Sequence, residues 1–158
     1  MEKRAVLFID DDVIVLKSLE RGLMDESYNK FFANTCEQAQ EILQREEIHV
    51  IVTDMCMPEM NGLEFLRTVR KEHPDIIGIV LSGYDKDTDL QTAVDQGEVF
   101  KLIMKPWKLG GTSFETIVSR AVDQYNLKYG QASSEDRVLR DVVVLLSRHA
   151  PVQELRSV

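Results

Sequence analysis

The chain has 158 residues, which suits one domain with an appendage. Its hydrophobic fraction of 44% is ordinary, so a packed core is expected. A formal net charge of -8 argues against nonspecific nucleic-acid binding, and two cysteines, Cys36 and Cys56, are too few for a disulfide framework.

The cysteines read as free thiols of a reducing compartment. The apolar run that follows Met1 to Arg4 is too short for a signal-peptide core, and no segment is long and apolar enough to span a bilayer. These features predict a cytoplasmic protein that meets no membrane and, through this chain, no nucleic acid directly. No repeat of solenoid period and no low-complexity tract interrupts the sequence.

In chain order, residues 4–9 form the first strand and end in Asp10-Asp11-Asp12. Asp12 is placed to cap a helix bearing Val13, Leu16, Leu19 and Leu23 at helical spacing, through about Met24. Residues 30–33 suggest a short second strand. Thr35 and Gln38 make a capping-box pattern for a second helix through about Arg45, with Ala39, Ile42 and Leu43 turned inward. Residues 48–53 form a third strand, whose apolar run Val50-Ile51-Val52 leads through Thr53 to Asp54. Pro58 and Asn61-Gly62 then break the chain before a third helix, which carries Leu63, Leu66 and Val69 and closes at His73-Pro74.

The fourth strand covers 76–81 and ends in Ser82-Gly83. The helix expected over 85–96 has a narrow apolar stripe of Leu90, Ala93 and Val94, so it is weakly held. Gly97 suits its C-terminal stop. A fifth strand covers 99–104 and ends in Lys105-Pro106. Gly110-Gly111 marks a loop, and Thr112 or Ser113 suits the cap of a helix bearing Phe114, Ile117, Val118, Ala121, Val122 and Tyr125. Beyond Gly130, Gln131 to Ser134 reads as a linker. Val138, Leu139, Val142, Val143, Leu145 and Leu146 then recur at helical spacing. That segment reads as a helix packed on the domain or on a copy of it, or as a connector to an output module.

Five strand–helix units in alternation predict an α/β fold with a parallel sheet covered on both faces. The doubly wound order 2-1-3-4-5 is that of flavodoxin-like folds and sets strands 1 and 3 side by side. Asp10, Asp11 and Asp54 would then share one crevice at the carboxyl ends of the strands. Clustered carboxylates need a counter-charge, and an all-oxygen donor set favours magnesium over zinc. Lys105 adds an ammonium and Ser82 a hydroxyl. A carboxylate nucleophile with a metal, an ammonium and a hydroxyl suits phosphoryl transfer onto an aspartate.

The acidic pair Asp10-Asp11, Asp54 within Thr53 to Gly62, Ser82-Gly83 and Lys105-Pro106, in that order, resemble the receiver (CheY-like) domain of two-component response regulators. The resemblance covers residues 4–125 or so. The stretches Leu81 to Tyr84 and Lys105 to Trp107 look like a subgroup often linked to HD-GYP or other output domains. The resemblance implies a receiver domain over 1–128, with 129–158 a linker and C-terminal helix serving dimerisation or a missing output module. It implies that Asp54 is the phosphoacceptor. It further implies that Asp10, Asp11, Asp54 and the Cys56 backbone carbonyl hold Mg2+ (or Mn2+), that Ser82 is the switch hydroxyl, and that Lys105 pairs with a phosphate oxygen beside a cis Lys105-Pro106 bond. The implied partners are a histidine kinase or phosphotransfer protein, a second copy of the chain, and an output domain or downstream protein. Phosphorylation would switch the surface of helix 4, strand 5 and helix 5. The implied role is signalling, with no enzymatic activity beyond self-phosphorylation and slow autodephosphorylation.

Two other classes compete. A haloacid-dehalogenase-like phosphatase wants Asp-x-Asp after the first strand, with the nucleophile there, and a cap domain; this chain has consecutive acids and no second domain expected to form a cap. A flavodoxin-like cofactor binder wants a Ser/Thr/Gly-rich phosphate loop where this chain has three acids. Among the remaining polar residues, Asp12 reads as a helix cap, His49 and His73 as surface residues, and Cys56 as a spectator thiol. Trp107 reads as packing on helix 5, and Met55, Met57 and Met60 as loop packing. Receivers usually carry an aromatic three residues before the lysine. Here that position is Leu102, with Phe100 expected on the same strand face, so an aromatic switch is expected to be absent or replaced. Cys56 and Tyr84 offer no carboxylate or amide to orient an attacking water, which predicts a long-lived phosphoryl group.

Overall fold

A computed structural model of the chain describes residues 3–83, 87–106 and 112–130, together with Leu139, Val142, Val143 and Leu146. Five parallel strands, β1 (Ala5–Ile9), β2 (Asn29–Ala33), β3 (Val50–Asp54), β4 (Ile77–Ser82) and β5 (Lys101–Met104), form one sheet in the order β2-β1-β3-β4-β5. Helices α1 (Val13–Gly22), α2 (Cys36–Arg45), α3 (Gly62–Glu72), α4 (Thr88–Asp95) and α5 (Thr112–Tyr129) join or follow the strands. The α/β class is that expected from the alternating pattern, and the strand order is that of the flavodoxin-like fold taken for it.

Strand periodicity divides the core in two. Val6, Phe8, Val52, Ile79 and Leu81 pack with α1 and α5. Leu7, Ile9, Ile51 and Val80 face α2, α3 and α4. The central strands are therefore apolar on both faces, as a covered parallel sheet requires. Each inner helix seats a few large side chains. Phe114 of α5 and Phe65 of α3 are fully buried, and burial of such a ring is worth about 1.5–3 kcal/mol.

The helix starts follow local chemistry. The Asp12 carboxylate accepts from the Ile14 amide at 2.9 Å, and the Thr35 hydroxyl from the Gln38 amide at 3.0 Å. Gln38 Oε1 reaches back to the Asn34 amide at 2.8 Å, one residue before the cap. Asn61 caps α3 through the Glu64 amide, and Asp87 caps α4 through the Leu90 amide. Gly97 sits at φ 79° where α4 turns into the β5 approach, a conformation that favours glycine. Arg67 clasps the Glu98 carboxylate in a two-pronged contact, and Arg70 donates to the Glu98 carbonyl. The end of α4 is thereby tied to α3.

Two expectations are corrected. The fifth strand starts at Lys101 rather than residue 99, because 98–100 form a bend. Alternation does not carry through a bend. Phe100 consequently packs with the α1/α5 cluster, while Leu102 packs with the opposite one. Phe100 and Leu102 do not share a strand face, so Phe100 does not stand in for an aromatic at residue 102. The second correction concerns His49, expected at the surface. It is 4% exposed. Its Nδ1 accepts the Ala5 amide at 2.9 Å, and its ring meets Tyr125 of α5 edge-on at 4.7 Å. Accepting at Nδ1 leaves the proton on Nε2, which faces Glu47 at 3.5 Å. His73 is half-buried at the C-cap of α3.

Tyr84, Trp107, Gly110-Gly111 and the linker of 131–134 lie outside the described residues, as does most of the helix expected over 135–147. Leu139, Val142, Val143 and Leu146 are helical and exposed. Among the described residues, no helix is long and apolar enough to cross a membrane.

The His49 contact yields a test. His49→Phe keeps a ring against Tyr125 but removes the acceptor for the Ala5 amide. A buried donor left unpaired costs about 1–3 kcal/mol. Urea denaturation should show a loss of that size, and an unchanged midpoint would refute the role of this bond.

Candidate functional site

Register decides which strand ends meet. Ile9 of β1 lies opposite Thr53 of β3, and Asp54 lies opposite Leu81 of β4. Asp10 therefore follows β1 beside Asp54, and Ser82 follows Leu81 by one residue. Ser82 in turn lies opposite Met104 of β5, so Lys105 emerges one step beyond, its amide bonded to the Ser82 carbonyl at 2.8 Å. The adjacency of β1 and β3 is what makes a site of segments more than forty residues apart in sequence.

Carboxylate oxygens of Asp10, Asp11 and Asp54 all lie within 4.8 Å of one another. Asp10 is 1% exposed and Asp54 6%, while Asp11 is exposed. Lys105 Nζ lies 3.1 Å from Asp10 Oδ2 and 2.7 Å from Asp54 Oδ1. Asp10 Oδ1 also accepts the Asp12 amide at 2.9 Å. Burial pushes the Asp10 carboxyl above its ordinary value and the Asp54 charge adds to that; the Asp12 amide and Lys105 only partly offset the rise. Burial works against the Lys105 ammonium, yet its bonds to Asp54 and Asp10 hold it above the usual lysine value. One ammonium among three carboxylates leaves two formal negative charges. A divalent ion with oxygen preference fits that deficit and that donor set.

Ser82 is buried at the end of β4, 4% exposed. The peptide bond from Lys105 to Pro106 is cis, as the resemblance implied. Cys56 has an exposed thiol that is not part of the carboxylate cluster. Asp12 stands apart as the α1 cap. Met57 and Met60 pack against the core beneath the loop.

Two residues that support the site were not singled out from the sequence. Gly62 was read only as a helix start. Its amide donates to the Met55 carbonyl at 2.9 Å, and a Cβ there would overlap the Asp54 carbonyl oxygen. Thr53 was read only as strand, yet its hydroxyl donates to that same carbonyl at 3.1 Å. An Asn-Gly pair seven and eight residues past an aspartate that ends an apolar run was the available signal.

Substitution separates this packing role from ordinary glycine freedom. Gly62→Ala should lose about 1–3 kcal/mol of stability through forced displacement of the β3 end. At Gly83 a Cβ meets nothing within 4 Å, so Gly83→Ala should stay within about 0.5 kcal/mol of the parent. Equal effects of the two variants in denaturant melts would contradict the close approach.

Comparison with known proteins agrees with this geometry. Residues 6–111 match the family model of the response regulator receiver domain. The hydrogenase transcriptional regulatory protein HoxA of Cupriavidus necator is 32% identical over 106 residues, which are 67% of this chain and 22% of that protein. Among solved structures, a response regulator receiver domain protein (CheY-like) from Methanospirillum hungatei aligns with TM-score 0.69 at 24% identity, covering 80% of this chain and 99% of that one. The beryllofluoride-activated NtrC4 receiver domain dimer aligns with TM-score 0.68 at 26% identity, covering 77% and 98%. The chain thus spans about a fifth of the length of the curated regulator and nearly all of the solved receiver domains. Together with a five-stranded sheet that gathers acids and a lysine at one mouth, these matches make the chain a member of the response regulator receiver domain family of two-component systems.

Proposed function

We propose that this chain accepts one phosphoryl group on Asp54 from the phosphohistidine of a histidine kinase or phosphotransfer protein. The observation that carries the reading is the Lys105 ammonium, shared between Asp10 and Asp54 beside the three clustered carboxylates. In the transfer, an Asp54 carboxylate oxygen bonds to phosphorus, the phosphorus–nitrogen bond breaks, and the histidine leaves with the electron pair. The carboxylates of Asp10, Asp11 and Asp54, with the Cys56 backbone carbonyl, would hold Mg2+ (or Mn2+), which supplies positive charge to the phosphoryl oxygens.

The chain's own residues account for the response. Once Asp54 is phosphorylated to the acyl phosphate, its negative charge moves outward onto the phosphoryl oxygens. The Lys105 ammonium then follows that charge, and the Ser82 hydroxyl donates to it. Both residues sit on the α4–β5 side of the sheet. Their movement is passed to α4, β5 and α5, where an output partner or a second copy would bind. The receiver reading covers residues 1–128, and 129–158 serve as linker and helix toward dimerisation or an output module. The solved relative that is a beryllofluoride-activated dimer supports the first of these uses, and the transcriptional regulator among the relatives supports the second. The phosphatase and flavodoxin-like readings give way to the family assignment.

Intact-mass analysis after incubation with acetyl phosphate and magnesium is the direct test. The parent should gain the mass of one phosphoryl group, and Asp54→Asn should gain none. Labelling of Asp54→Asn to the same extent would overturn the assignment of the acceptor. Size exclusion of the same samples reports whether labelling shifts the chain toward a dimer.

The lifetime of the phosphoryl group follows from the flanking residues. Neither Cys56 nor Tyr84 has a carboxylate or amide with which to orient an attacking water. The double variant Cys56→Asn, Tyr84→Ala should therefore lose its label faster than the parent in a time course without donor. Equal or slower decay would count against water orientation as the limiting factor.

A further inference from the structure

We propose that the chain carries a second binding pocket, for a small carboxylate with a short apolar tail, at the end of the sheet opposite Asp54. A cavity of about 240 Å3 lies where the last turn of α3, the end of α4, the start of β4 and the second half of α5 meet. Ile77 and Gly78, the first residues of β4, line it, whereas the Asp54 site lies beyond the last.

The lining has two chemical halves. Arg70 and Lys128 supply cations, and Gln124 a neutral amide. Arg70 is fixed by its bond to the Glu98 carbonyl. Glu98 is the acid of the lining, but its carboxylate is clasped by Arg67, and that bond holds its pKa below the ordinary value. Lys128 makes no ion pair with the described residues, in a chain of formal net charge -8. The cavity therefore has uncompensated positive charge. The other half is apolar. Val94 and Phe100 pack against the two core clusters yet remain half-exposed toward the cavity.

Size narrows the occupant. At roughly 30 Å3 per water, the space holds about eight water volumes. It falls below the range of about 300–1,000 Å3 usual for drug-sized ligands. A bare phosphate would meet the cations and leave the apolar wall wet. A short-chain carboxylate satisfies both halves, because a guanidinium binds a carboxylate in a two-pronged fashion and the tail covers Val94 and Phe100. Hexanoate, with eight non-hydrogen atoms, matches the volume.

The test is a titration of the full chain followed by amide chemical shifts, at constant ionic strength, with hexanoate, acetate and hexanol as probes. Hexanoate should shift the amides of Gly78 and residues 97–100 saturably. Acetate and hexanol should each bind at least tenfold more weakly. The double variant Arg70→Gln, Lys128→Gln should weaken hexanoate at least tenfold. If that variant loses its dispersed spectrum, Lys128→Gln alone, on an exposed side chain, must still weaken binding. The proposal is overturned by the absence of saturable shifts, by shifts centred elsewhere, by unchanged affinity in the variants, or by hexanol binding as well as hexanoate.

Discussion

The arrangement at the mouth of the sheet turns on one shared ammonium. At an effective dielectric near 20, unit charges about 4 Å apart interact by about 4 kcal/mol. The Lys105 contacts to Asp10 and Asp54 and the repulsion between those two carboxylates are therefore of the same order. One lysine can offset one carboxylate and no more. The raised Asp10 carboxyl reflects that shortfall, since its burial is only partly answered by the Asp12 amide and the shared lysine. The site is held together and left short of positive charge at the same time, which is the condition under which an added cation would bind and, in the proposed reaction, a phosphoryl group would draw the lysine toward itself.

The sheet makes this possible because backbone register, not side-chain choice, brings the groups together. The pairing of Ile9 with Thr53 and of Asp54 with Leu81 places three strand ends level with one another. Beneath them, Gly62 lets the α3 start approach the Asp54 carbonyl, and Thr53 spends its hydroxyl on the same oxygen. Asp54 is thus fixed from below by backbone contacts and from above by Lys105. Its position does not depend on a long, mobile side chain, and this suits the acceptor role proposed for it.

Much of this was legible before any coordinates. Apolar runs ending in acids, a serine and a lysine identified the strand ends, Asp12 and Thr35 cap helices where their spacing said they would, and the third helix starts at the Asn-Gly pair read as its opening. The failures have physical causes. His49 looked like a surface residue because its polar ring precedes a strand, but its acceptor bond goes to an amide 44 residues away, and no local pattern encodes that pairing. Phe100 was assigned to the wrong face because period-2 alternation was extended through a bend, where backbone geometry no longer alternates. Gly62 was missed as a supporting residue because a glycine after asparagine is a turn signal in any context. In each case sequence spacing described the element, and a contact between elements decided the outcome.

An asymmetry in how the helices are anchored indicates where a change at the mouth would be felt. α4 is eight residues long, and Leu90 and Ala93 are its buried side chains. α5 buries Phe114, Val118, Ala121 and Tyr125 along its length. Its second half is further fixed to the sheet by Arg4, which donates to Asn126 at 2.6 Å and lies over the Tyr125 ring, and by the Tyr125 contact with His49. Since the free energy of local opening scales with the buried contacts that must be broken, α4 lies at the low end and α5 well above it. The Arg67–Glu98 clasp limits what α4 can do by tying its far end to α3. Displacement at Ser82 and Lys105 would then pivot α4 about that clasp while the lower half of α5 stays in place.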